Sequence, residues 1–370
     1  MENSLLNAKK KSFGLYEAAL ATILFIVFNV AFVWLYTSVP VNIRANKAVY
    51  YLASFILEAL FAVTSFVVAV TRKTDFIEAN GLKKKINFNI VFYCIVISFV
   101  CLIFFGNLTN VFIEFLYLCG YSSVLGNIEI NNFGVYLIYI IISCVTPAVC
   151  EEILFRGTIA SGLKEKGFKI ALFGSAIIFT LMHGNPEQTV HQFIIGLVVG
   201  YIFLKTGNIW LGIIIHFMNN FISVTQVYIL SLYPTEQVVQ EVVATTPANP
   251  WVSLFMSLVW ALVFAFVGYI IVKKLIRIVN AESDRINGVA ETQMNENATI
   301  KVDDAEVAVE MTVDGKIVET KEETLSADGE AGLQKTASEP TKVSVIVMFV
   351  LSGAYFLIDW LTSLLTGLGF

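Results

Sequence analysis

Nine apolar stretches, the fifth and sixth of them short, succeed one another along this chain, and that succession fixes the fold class before any motif is read. A span needs about 20 residues. The blocks lie near 15–37, 48–71, 88–118, 134–156, 168–183, 190–205, 209–232, 251–276 and 343–368. In hydrocarbon every backbone N–H and C=O must be satisfied inside the protein, so blocks of this length read as helices. Charged residues make up 14% of the chain, against about 25% in soluble domains. The expected fold is all-α, a polytopic membrane helix bundle with an eight-helix core over residues 1–277. A ninth, C-terminal transmembrane helix falls in 342–370, beyond an acidic segment at 278–341.

The loop cations set an orientation. Lys9, Lys10 and Lys11 precede the first block, and Arg72, Lys73, Lys83, Lys84 and Lys85 follow the second. Lys164, Lys166 and Lys169 join the fourth to the fifth, Lys205 follows the sixth, and Lys273, Lys274 and Arg277 follow the eighth. The loops at 106–133, 184–192 and 233–250 hold no Lys or Arg. Cytoplasmic loops carry the excess of cations, so a multi-pass protein of the cell membrane with a cytoplasmic N-terminus is expected. Arg44 and Lys47 are a mild exception. The N-terminal apolar run is too long for a signal peptide and no small-residue cleavage site follows, so the first helix is expected to stay.

Residues 281–340 hold fifteen Asp and Glu against five Lys and Arg, which more than accounts for the net charge of -5. The rest is slightly basic, as suits contact with anionic lipid, and nothing points to nucleic acid. Low apolar content makes 278–341 largely disordered by expectation, with a small hairpin at Asp314–Gly315 where the pattern alternates. The five cysteines lie in or beside apolar blocks without a CxxC pair and read as small core residues.

Against this background the stretch "VCEEILFRG" (149–157) stands out. A charged side chain near the bilayer centre costs roughly 2.5–3.5 kcal/mol, and Glu151, Glu152 and Arg156 fall within six residues. All three histidines, His183, His191 and His216, lie close by in sequence, with Asn220 four residues past the last. Helical steps place Glu152 and Arg156 on one face as an ion pair and turn Glu151 away. His216 and Asn220 share a face, which selects Asn220 over Asn219. Glu151 and His183 are each sixteen residues from a turn near Gly167, about 24 Å along their helices. His216 and Asn220 follow a turn near Gly207 by about 13–20 Å. These side chains can share one layer. Pro147 removes a helical hydrogen bond just ahead of Glu151 and should kink the fourth span.

A carboxylate, two imidazoles and a carboxamide suit peptide hydrolysis. The carboxylate takes a proton from water, a histidine orients that water or protonates the leaving amine, and donors stabilise the oxyanion. Zinc held by imidazoles and a carboxylate is a second route, although no HExxH is present. An ion-coupled transporter, or an inert immunity or scaffold protein that binds a peptide, would use the same buried groups. Glu58 and Asp359 read as lone intramembrane acids in packing or peripheral roles, His191 as an entrance or structural residue, and Gly196 and Gly200 as small helix contacts.

"EEILFR" fits EExxxR, "FTLMH" fits FxxxH, "FIIGLVVG" fits FxxGxxxG and "HFMNN" fits HxxxN, in that order on successive spans. Together they resemble the CAAX protease and bacteriocin-processing family of intramembrane proteases, which includes the type II CAAX prenyl endopeptidases. The resemblance covers about residues 130–235, and the motifs themselves fall in 147–220. It implies an eight-helix core with a water-filled cavity open to the cytosol. It further implies that Glu151 is the general base, working with His183, that His216 and Asn220 form the oxyanion side, and that no metal is required. Glu152 and Arg156 take supporting roles. The implied substrate is a peptide or membrane-anchored protein. The acidic insert and ninth span depart from the family pattern and bear on substrate choice.

Overall fold

The computed structural model describes residues 12–123, 130–233, 249–299 and 342–369, and among these every regular element is helical. The long helices are α1 Leu15–Ser38, α2 Lys47–Thr71, α3 Phe88–Leu118, α4 Phe133–Lys166, α5 Phe168–Met182, α6 Thr189–Thr206, α7 Ile209–Ser231, α8 Pro250–Thr299 and α9 Lys342–Gly367. All but α5, which has 15 residues, belong to segments long and apolar enough to cross a membrane. The chain is a polytopic helical membrane protein.

Polar residues at the block edges start the helices. The side chains of Asn46, Asn87, Asn132 and Asn208 accept from the first free backbone N–H groups of α2, α3, α4 and α7, which is what an asparagine cap supplies. The two expected turns are glycine turns. Gly167 (φ +102°) separates α4 from α5, and Gly207 (φ +61°) ends α6. Both lie in the left-handed region, where a Cβ is strained.

Two stretches of α4, Ile140–Val145 and Ile153–Ala160, widen into π turns around Pro147. Where a kink is expected from proline, the helix carries wide turns on either side of the glutamates. Such turns alter the register of side chains along a helix and recur at functional sites.

Two helices run further than the apolar blocks suggested. α4 continues to Lys166, and α8 continues to Thr299, so the disorder expected from 278 does not begin there. The reason is tertiary. Asn287 accepts from the Lys85 backbone N–H at 2.7 Å, and Glu282 accepts from Asn87 Nδ2 at 2.6 Å, tying the extension to the loop before α3. The hairpin expected at Asp314–Gly315 lies outside the described residues.

One apolar cluster joins five helices. Phe25 of α1 stacks on Phe61 of α2 at 4.2 Å; Phe61 meets Phe155 of α4 at 5.9 Å, and Phe155 meets Phe179 of α5 at 5.1 Å. Phe356 of α9 belongs to the same cluster. The ninth helix is therefore part of the bundle, although an acidic segment separates it in sequence. All five cysteines are free.

Candidate active site

Glu152 is the hub. Its side chain is fully buried, and its Oε1 lies 2.9 Å from Arg156 Nη1 one turn along α4. The same oxygen lies 2.9 Å from His216 Nδ1 on α7. A carboxylate only accepts, so Nδ1 carries the proton and Nε2 points away from Glu152 toward whatever occupies the site. The approach depends on Gly212, one turn before His216. A Cβ there would stand 2.8 Å from Glu152 Oε2 and 2.7 Å from Val199 Cγ1.

Phe179 closes the other side. The Arg156 guanidinium sits 4.3 Å from its ring centre, a cation–π contact that favours the charge where water is excluded. The rings of His183 and His216 meet Phe179 edge-on at 4.9 and 5.9 Å. The phenylalanine of the FxxxH pattern thus touches the arginine and both histidines.

His183 ends α5. Its Nδ1 is 2.8 Å from the carbonyl of Phe179. A carbonyl cannot donate, so Nδ1 carries the proton and Nε2 is left free. Unlike the buried Glu152, Arg156 and His216, His183 is partly exposed.

Glu151 turns toward α2. Its carboxyl faces that of Glu58. The Oε2 atoms of both residues are buried without a hydrogen-bond partner. Glu58, expected to be a lone acid in a packing or peripheral role, instead faces the foremost catalytic candidate. Its signal in the sequence was a single acid within an apolar block, with nothing to say what it met.

The Pro147 ring has no N–H to offer the carbonyl of Ser143, and that carbonyl accepts from Asn220 Nδ2 at 3.0 Å. One N–H of the Asn220 amide is thereby committed and the other remains. Asn219 is the more buried neighbour. Its Nδ2 donates to His191 Nε2 at 2.9 Å, linking α6 to α7. Asp359 of α9 reaches the loop after His183, where a Cβ on Gly184 would come 2.5 Å from its Oδ2. Trp360 donates to Thr189 Oγ1 at 2.8 Å just beyond.

The structure therefore gathers Glu152, Arg156, His216 and His183 around Phe179, with Glu151 facing α2 and Asn220 facing the α4 kink. Among the described residues no direct hydrogen bond joins Glu151, His183, His216 and Asn220 to one another. Nor do any three His, Cys, Asp or Glu side chains come together as metal ligands.

A helical membrane bundle with a buried Glu–His–Arg network is compatible with the intramembrane protease class that the four motifs resemble. Two comparisons agree with that class. Residues 133–222 match the family model for Rce1-like proteins, described as type II CAAX prenyl endopeptidase Rce1-like. The Bacillus subtilis (strain 168) protein named "Putative membrane peptidase YdiL" is 30% identical over 103 residues, which are 28% of this chain and 41% of that relative. The chain spans less than half the length of that relative. The resemblance to the CAAX protease and bacteriocin-processing family is supported by both matches. No solved structure matches the chain.

Proposed function

We propose that the chain is an intramembrane endopeptidase that cleaves membrane-associated peptides or membrane-anchored proteins with a water activated by Glu151. The observation that carries this reading is the buried network of Glu152 with Arg156 and His216, next to Glu151 and inside the matched segment. Burying four ionisable groups in hydrocarbon is costly, and an ion pair of Glu152 with Arg156 would have sufficed for packing.

In this scheme Glu151 accepts a proton from water as the water oxygen bonds to the peptide carbonyl carbon. Its Oε2, unpartnered in the protein, is free for that proton. The free Nε2 of His183 holds the water or relays the proton to the departing amine as the C–N bond breaks. The remaining N–H of Asn220 donates to the carbonyl oxygen, and His216, positioned by Glu152, joins it there as an imidazolium whose Nε2 carries the second proton. The lysine-bearing turns and the N-terminus lie on the cytosolic side, following the loop cations.

The test uses the full chain in liposomes with an internally quenched peptide ending in a farnesylated CAAX sequence, and the same peptide without the lipid. Wild type should cleave at least one of them. Glu151→Gln should lower the rate by about 100-fold or more, the lower range of what a positioned base contributes, and chelation should leave wild-type turnover unchanged. Full turnover by Glu151→Gln would refute the assignment, and loss on chelation with recovery on adding zinc would replace it with the metal route.

A further inference from the structure

On the far side of α6 from the buried glutamates, α5, α6 and α8 enclose an apolar groove of about 470 Å³. Its walls include Phe173, Leu197 and Tyr201, and one end is lined by Lys273, Arg277 and Asn280. Phe173 is largely exposed, so the groove opens sideways toward hydrocarbon. Acyl chains fill such a furrow; the groups at its end decide which headgroup comes with them.

Two of those three groups, Lys273 and Arg277, are cationic. Lys273 and Arg277 lie four residues apart on α8, hence on one face. Lys205 lies one turn past Tyr201 at the end of α6, held 5.0 Å from the ring centre of Phe168 and 6.0 Å from that of Tyr201 in the groove wall. Lys273 rests 5.5 Å from the ring centre of Tyr269. Among the described residues none of these three cations has an ion-pair partner. Glu282, the next acid along α8, is already bonded to Arg285 and Asn87. Asn280, one turn past Arg277, holds a buried carboxamide oxygen with no hydrogen-bond partner. A buried acceptor of this kind is costly unless something donates to it.

We infer that this groove is a binding site for one anionic glycerophospholipid of the surrounding leaflet. An acyl chain lies against Phe173, Leu197 and Tyr201, the phosphate meets Lys205, Lys273 and Arg277, and a headgroup hydroxyl donates to Asn280. Basic pockets between transmembrane helices recognise anionic headgroups in this way.

The test is native mass spectrometry of the full-length protein in detergent, titrated with phosphatidylglycerol or phosphatidylcholine of matched acyl chains. Wild type should retain phosphatidylglycerol about tenfold more tightly, and Lys273→Gln with Arg277→Gln should erase that preference while leaving phosphatidylcholine unchanged. Millimolar inorganic phosphate should not displace the lipid, since the acyl chain is part of the ligand; full displacement would show a free phosphate site instead. Equal retention of the two lipids by wild type would overturn the inference, and so would a preference that survives in the double variant. The wild-type comparison needs no variant, so the question is decided even if the substituted protein does not fold.

Discussion

Glu152 Oε1 and His216 Nδ1 lie 2.9 Å apart across 64 residues of chain, and the same oxygen also meets Arg156 at 2.9 Å. One atom thus ties α4 to α7 and holds the imidazole in a single orientation. The carboxylate beside it in sequence, Glu151, has no part in that junction and faces Glu58 on α2. Adjacent glutamates therefore carry separable duties.

That separation can be measured. Glu152→Gln leaves Arg156 buried without its counter-ion, a loss that costs about 3–5 kcal/mol in a dry site. It should lower the thermal midpoint in detergent as well as the cleavage rate. Glu151→Gln should abolish cleavage with a midpoint close to wild type. Equal destabilisation by the two substitutions would show that both glutamates are structural.

Glu58→Gln keeps a hydrogen-bond donor opposite Glu151 and removes the second ionisable group. Paired carboxyls titrate as a unit, so the pH–rate profile should simplify to one acid limb, with kcat lowered about tenfold or more. An unchanged profile and rate would leave Glu58 a packing residue.

Gly212→Ala would push a methyl group against Val199 and Glu152. Overpacking of this kind costs typically 1–3 kcal/mol. The substitution should reduce both stability and turnover, whereas Gly200→Ala, whose Cβ would meet Leu172 Cδ1 only at 3.4 Å, should be tolerated. Parallel unfolding and activity measurements on the two variants distinguish a tight junction at Glu152 from general crowding of the bundle.

Pro147→Ala would restore an N–H able to compete for the Ser143 carbonyl that Asn220 now donates to. Removing proline from a helix interior relieves a penalty of about 3 kcal/mol. The variant should be as stable as wild type or more so, yet slower, with the loss in kcat rather than KM because Asn220 is no longer held at the kink. A variant with unaltered kcat would detach that hydrogen bond from function.

Much of the bundle was legible in the chain. The apolar blocks gave the nine long helices among the described residues, Gly167 and Gly207 marked turns, and the spacing of Glu152 and Arg156 foretold their ion pair. The extent of α8 was not legible, since its extension rests on hydrogen bonds from Asn87 and the Lys85 backbone, about 200 residues away. The role of Phe179 was visible only as a letter in a pattern. Glu58 was visible only as an anomaly.

The sequence by itself determined that this chain crosses the membrane as helices and that its buried polar groups cluster on four consecutive spans. Transfer cost and helical spacing are properties of each residue and its near neighbours, so they can be read one segment at a time. Only the tertiary structure decided who meets whom. Counting residues puts Glu152 about 22 Å and His216 about 13 Å from their turns, yet the two touch. The π turn at Ile153–Ala160 lies between Glu152 and its turn and alters the spacing there, and it is not encoded by any residue acting alone.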